Sequence, residues 1–265
     1  MLVLPVLLVV AQLWPGNVHA DKTEIMDLFT SKLSTPLGPG APDGVSLLVI
    51  PADAANPKGL LLAWSGWALG PLHGSTMIQR SSSDGGQTWG PATTPLSVRP
   101  AADIGLGGPQ AVYDTKTDTI VLVFGNVTDG PLGKGGCDLG SEGLLGPLAI
   151  RSSDKGASWS SVINVREQLR RAGVPTMCMD PVNANGIVLQ EGGPHAGRLL
   201  FTSTHNAYQG DIIVWSDDHG GTFNFSAALH KEGMDEAWSA QLRCAMIPTG
   251  FIALIARLRA QCFAY

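Results

Sequence analysis

The chain has 265 residues, of which 44% are apolar and 15% charged, and its 17 basic and 22 acidic side chains leave a net charge of −5. That much apolar surface with so little charge excludes an intrinsically disordered chain, and the acidic balance disfavours a nucleic-acid binder, which needs a cationic face for phosphate. Thirty-three Gly and 18 Pro supply about a fifth of the residues, a composition of many turns rather than of a helical bundle.

Residues 1–13 are almost wholly apolar, Val18 and Ala20 supply small residues before a cleavage point, and the first charge is Asp21. This predicts a secretory signal peptide over 1–20, too short to span a membrane, followed by one domain over 21–265. The expected destination is the secretory pathway, extracellular or lysosomal, and no later run is apolar and long enough for a transmembrane span. Cys137, Cys178, Cys244 and Cys262 allow two disulfides in three connectivities, or remain as buried thiols. None lies in a Cys-x-x-Cys pair, so zinc is not expected. Asn126-Val127-Thr128 and Asn224-Phe225-Ser226 are N-glycosylation triplets.

Strand-like runs follow one another along the chain: 45–50, 60–64, 76–79, 111–113, 119–124, 148–150, 186–189, 198–202 and 212–215, with one short helical insertion over 166–171. Three of these runs lead into the same octapeptide, Ser-x-Asp-x-Gly-x-Thr/Ser-aromatic. Its copies are Ser82 to Trp89 (with Asp84 and Gly86), Ser152 to Trp159 (with Asp154 and Gly156) and Ser216 to Phe223 (with Asp218 and Gly220). The three aspartates lie 70 and then 64 residues apart, which makes the octapeptide the marker of a repeated supersecondary unit. A carboxylate can accept backbone N–H groups within a turn, glycine supplies the left-handed backbone, the hydroxyls add local bonds, and the aromatic anchors the turn in the core. All of these residues are therefore expected to be structural. With about four short strands per period, the expected fold is all-β, a β-propeller of four-stranded blades.

The octapeptide resembles the Asp-box, or bacterial neuraminidase repeat, and residues 40–260 resemble the sialidase (neuraminidase) superfamily. Residues 59–64, 106–114, 119–122, 185–189 and 197–200 carry the likeness beyond the boxes. The resemblance implies a six-bladed propeller, needing no cofactor, that hydrolyses terminal α-linked sialic acid from glycoproteins, gangliosides or oligosaccharides. Such an exo-α-sialidase holds the substrate carboxylate with three arginines, uses an Asp as acid/base, and attacks with a Tyr activated by a Glu, outside the usual two-carboxylate scheme. At about 65 residues per unit, residues 21–265 hold a little under four blades, so the domain is expected to be incomplete at its C-terminus.

Carried over residue by residue, the resemblance implies Arg257 as a substrate-carboxylate arginine, at the end of the run Pro248 to Arg257. Asp235-Glu236 resembles the pair that supplies the activating carboxylate, which makes Glu236 the candidate; a strict count back from the strand reaches Gln241, and an inserted loop would reconcile the two. Gly44 stands where the first arginine is expected, and residues 64–75 hold no Asp or Glu; Asp103 is the nearest carboxylate to the acid/base role. No tyrosine among Tyr113, Tyr208 and Tyr265 takes the nucleophile's role. Two further functions compete: an inactive Asp-box propeller that binds glycans or proteins, and a different Asp-box glycosidase such as a xyloglucan hydrolase. The first predicts binding without turnover; the second needs a catalytic carboxylate pair, and none stands out.

Overall fold

The computed structural model describes residues 41–68, 75–96, 104–128, 147–173, 179–181, 185–189, 193–205 and 210–226. They form three antiparallel sheets, each closing around one octapeptide. The first contains β1 (Ala41–Ile50), β2 (Leu60–Ala68) and β3 (Ser75–Ser82), in that order. Its fourth strand is reduced to a bridge between Gln79 and Thr93. The second runs β4 (Ile104–Asp114), β5 (Thr119–Thr128), β6 (Leu148–Ser152) and β7 (Ile163–Asn164). In the third, β8 (Met179–Pro181) and β9 (Ile187–Val188) share the inner position on β10 (Leu199–His205), followed by β11 (Gly210–Ser216) and β12 (Asn224–Phe225). In every sheet the octapeptide joins the third strand to the outer one. These are blades of a β-propeller.

Strand β5 shows why the blades stack. Its run Thr119-Ile120-Val121-Leu122-Val123-Phe124 is apolar on both faces, unlike the alternating pattern of a half-wet strand. Ile120, Leu122 and Phe124 point toward the first blade and pack with Ile50, Leu62, Trp64 and Met77. Val121 and Val123 point the other way, into a core with Leu199, Phe201, Ile212, Val214 and Phe223 of the third blade. A helix, α1 (Val165–Arg171), follows β7 and adds Val165 and Leu169 to that second core. Asn164 caps it by accepting the Glu167 N–H at 2.9 Å. The helical insertion expected over 166–171 is thus present, one residue longer at its start.

Two glycines set the inter-blade distance. Gly156 and Gly220 occupy the fifth octapeptide position with φ of 86° and 81°. A Cβ at Gly156 would lie 3.2 Å from Leu62 of β2, and one at Gly220 would lie 2.7 Å from Val121 of β5. Leu62 and Val121 are equivalent, since they pair with Ser81 and Arg151, the residues just before each octapeptide. Glycine is therefore needed twice over, for the backbone angle and for the close approach of the neighbouring blade. Gly220→Ala is expected to destabilise the protein by about 2–4 kcal/mol, combining left-handed strain with overpacking. Gly173→Ala, at φ 99° with open space around it, is expected to cost only about 1 kcal/mol. Equal losses in chemical denaturation would contradict this assignment of the octapeptide glycine.

Candidate functional site

The strand order gives the sheets two unlike ends. At one end lie the octapeptides and the turns after the inner strands, 51–59 in the first blade and 115–118 in the second. Two contacts place these ends side by side: Lys155 of the second octapeptide forms an ion pair with Asp53 of the 51–59 turn, and the His219 ring of the third is hydrogen-bonded to Asp114 at the end of β4. The inner strands all begin at the opposite end. There β1 bulges, with Asp43 opposite Gly66, Val45 opposite Ser65, and Gly44 as the extra residue. Strand β4 bulges as well: Gly108 and Pro109 oppose Phe124, with Gly108 at φ 57°. Bulges of this kind re-aim the side chains around them, and they tolerate a proline that an unbroken ladder would reject.

The octapeptide end is occupied by structural bonding. Ser82, Ser152 and Ser216 donate to the aspartate two residues on, at 2.7, 2.7 and 2.8 Å. The same hydroxyls accept the glycine N–H at 2.9, 2.8 and 2.9 Å. Each aspartate then accepts the backbone N–H and the hydroxyl of Thr88, Ser158 or Thr222. The Thr88 hydroxyl and N–H, with the Ser82 hydroxyl, hold Asp84 well below the usual carboxylate range. Asp154 is brought to about 2 by the hydroxyl and N–H of Ser158 and by Ser152. Burial pulls Asp218 upward, yet the Thr222 and Ser216 bonds outweigh it and leave that group low too. Carboxylates so bound have no proton to give at neutral pH, and three donors already engage each of them. The aromatics complete the turn: Trp159 meets Trp64 edge-on at 6.1 Å, Phe223 packs on Phe201 at 6.1 Å, and Trp89 covers Ala63 and Ile78.

Polar side chains join the inner strands to one another. Counted from the octapeptides through the strand registers, Ser46, Gln110 and Asn185 occupy the same position of successive blades. The Ser46 hydroxyl donates to Asn185 Oδ1 at 2.6 Å and accepts the Ala111 N–H at 3.1 Å. Asn185 Nδ2 donates to the Leu47 carbonyl at 2.7 Å, and the Gly186 N–H reaches the Ala111 carbonyl at 3.1 Å. Gln110 donates to the Thr202 carbonyl at 2.5 Å and accepts its N–H at 3.0 Å. Three blades thus meet through these hydrogen bonds, with Ser46 and Gln110 buried and Asn185 at the exposed edge, and the bonds hold the starts of the inner strands in a fixed relation.

Known sialidases share part of this sequence and part of this fold. Over 213 residues the chain is 31% identical to a sialidase of Micromonospora viridifaciens, a match that covers 73% of this chain and 31% of that protein. The chain resembles the sialidases. A sialidase of Bacteroides fragilis is 30% identical over 150 residues, covering 52% of this chain and 26% of its own length. The structure of a NanB sialidase variant from Streptococcus pneumoniae superposes with a TM-score of 0.58 at 10% identity, over 79% of this chain and 47% of that one. The chain therefore spans between a quarter and a third of the two sequence relatives. No protein-family profile matches it.

Of the site residues expected for a sialidase-like chain, Asp103, Glu236 and Arg257 lie outside the described residues, as do the four cysteines, Tyr208 and Tyr265. Strand β4 begins one residue after Asp103, at the end away from the octapeptides. Gly44 is the bulged residue of β1 at the same end. Tyr113 lies at the octapeptide end. It donates to Asp118 at 2.5 Å, and burial followed by the Asp118 bond pushes its phenol up to about 12, the reverse of an activated nucleophile. Asn224 is exposed on β12. Among the described residues no group of three or more His, Cys, Asp and Glu side chains is placed to hold a metal ion. The inner-strand network and the Lys155–Asp53 and His219–Asp114 contacts between blades were not anticipated from sequence.

The depressed octapeptide carboxylates imply a pH dependence of stability. Asp154, at about 2 when folded and near 4 when unfolded, binds more protons in the unfolded chain between those values. Its contribution is therefore present above about pH 4 and lost as pH falls through about 2. Thermal unfolding of Asp154→Asn against the unsubstituted protein is expected to show a gap at pH 6 that closes toward pH 2. A gap independent of pH would show that the carboxylate's charge plays no part.

Proposed function

We propose that the protein is a sialidase-type glycoside hydrolase chain acting on terminal α-linked sialic acid, with its substrate at the end of the blades where the inner strands begin. The single observation that carries this is 31% identity over 213 residues to the Micromonospora viridifaciens sialidase. The blade geometry is consistent with it, because the aspartates of the three octapeptides and Tyr113 are engaged in local bonds, whereas the inner-strand starts carry bulges. On this reading Arg257 grips the substrate carboxylate with paired, charge-assisted hydrogen bonds. Glu236 and Asp103 are the candidate catalytic carboxylates. The substrates are sialylated glycoproteins, gangliosides or oligosaccharides, and residues 1–20 direct the chain into the secretory pathway, to the cell exterior or a lysosome.

A binding propeller without turnover is the second reading. Gly44 in the β1 bulge supports it, since a glycine at the place of the first arginine removes one of the guanidinium groups that orient the substrate carboxylate. The two readings separate in one assay. Purified full chain is expected to release the fluorophore from an α-linked sialic acid conjugate, and Arg257→Ala to lower kcat/KM about a hundredfold, the worth of two charge-assisted hydrogen bonds. Folded protein that binds sialosides without releasing the fluorophore would overturn the hydrolase in favour of the binding propeller. Release unaffected by the substitution would remove Arg257 from the site.

A further inference from the structure

The fourth octapeptide position has a common geometry. Lys155 and His219 both occupy it, both in the left-handed backbone region at φ 58° and 60°. That backbone turns each side chain out of its own blade and against the preceding one. Lys155 meets Asp53 of the first blade, and His219 Nδ1 meets Asp114 Oδ2 of the second. Each contact lies beside the glycine seat on Leu62 or Val121, so a carboxylate and an apolar side chain of one blade receive the basic residue and the glycine of the next.

The two carboxylates differ in setting. Asp53 is one-third exposed, while only 1% of the Asp114 side chain is accessible. A carboxylate so enclosed needs partners for its lone pairs. Asp114 accepts the Lys116 N–H at 3.0 Å, the Thr117 hydroxyl at 2.8 Å, and the His219 ring nitrogen. Burial raises the Asp114 proton affinity, but those donors more than offset it, so the group stays ionised into acid. Against Asp114, then, the variable partner is the imidazole, the one side-chain type whose ordinary charge change falls between pH 5 and 8.

We propose that His219 and Asp114 form a proton-dependent latch between the second and third blades, which tightens as the solution is acidified from pH 8 to 5.5, and that Lys155 and Asp53 form its proton-independent counterpart between the first and second. Neutral imidazole gives Asp114 an ordinary hydrogen bond; imidazolium gives it a charge-assisted one. The other charged groups on the elements around His219 are already engaged. Asp218 is bound by Ser216 and Thr222, Asp217 by Arg198, Asp118 by Tyr113, and Glu167 of α1 by Arg170 and Arg171. Lys116, whose backbone N–H donates to Asp114, is the remaining charged residue of the β4–β5 turn.

Double-mutant cycles on the full chain test this. The variants are His219→Gln, Asp114→Asn and the pair, with Lys155→Met and Asp53→Asn as the comparison cycle, followed by denaturant unfolding at pH 8.0 and 5.5. The His219–Asp114 coupling is expected to strengthen about fivefold in the folding equilibrium constant at pH 5.5, the difference between a neutral and a charge-assisted bond. The Lys155–Asp53 coupling is expected to be the same at both. A His219–Asp114 coupling that is absent, or equal at the two pH values, would overturn the proposal. Should Asp114→Asn fail to fold, hydrogen exchange of the β4–β5 turn amides decides it, corrected for intrinsic rates and comparing the unsubstituted protein with His219→Gln. Extra protection at pH 5.5 is expected only where His219 is present, and equal protection in both proteins would overturn the latch.

Discussion

Each blade is positioned by a carboxylate folded into its own turn. In Asp84, Asp154 and Asp218 the side chain gathers a serine hydroxyl, a backbone N–H and a second hydroxyl around itself, and in the second and third blades the loop so closed presents its fifth residue, Gly156 or Gly220, edge-on to the preceding sheet. Only glycine fits there, because the backbone is left-handed and the neighbouring Leu62 or Val121 is already in contact distance. The turn therefore does two things with one set of bonds. It ends the third strand of its own blade, and it fixes how closely the preceding blade approaches. The two-faced apolar strand β5 depends on that spacing, since its alternate residues fill two different inter-blade cores.

Fixing one end of the sheets leaves the other end to be shaped by different residues. The Ser46, Gln110 and Asn185 network joins the inner strands and holds their starting ends in register from blade to blade. The bulges at Gly44 and at Gly108-Pro109 fall toward those starts. A rigid scaffold below and re-aimed strand ends above is the division of labour expected of a fold that keeps its chemistry away from its architecture. The similarity to sialidases is consistent with this arrangement.

Much of the fold was legible in the sequence because the octapeptide is local. Its bonds run between residues no more than four apart, so residue type at fixed spacing predicts them, as at Ser152, Asp154 and Ser158. Strand runs such as 119–124 were legible for the same reason, and α1 was expected from 166–171. The inner-strand network was not legible, since Ser46 and Asn185 lie 139 residues apart and only the stacking of blades brings them together. Strand β9 falls within the expected run 186–189, but β8 gave no periodic signal, three residues being too short for one. The candidate site was the least legible part. Gly44 announced a departure from the expected arginine, but its place in a bulge required the β1–β2 register. The pairing of His219 with Asp114 required the position of one blade on another.

On the proposed function, ligand recognition belongs to the end where the inner strands begin, and the octapeptide end is architectural. Hydrogen exchange of the full chain with and without saturating soluble α-sialoside tests it most directly. Added protection is expected in peptides covering the starts of β1 and β4 and the end of β10, with the three octapeptides unchanged. Protection concentrated at Ser82–Trp89, Ser152–Trp159 or Ser216–Phe223, or none anywhere, would contradict the account.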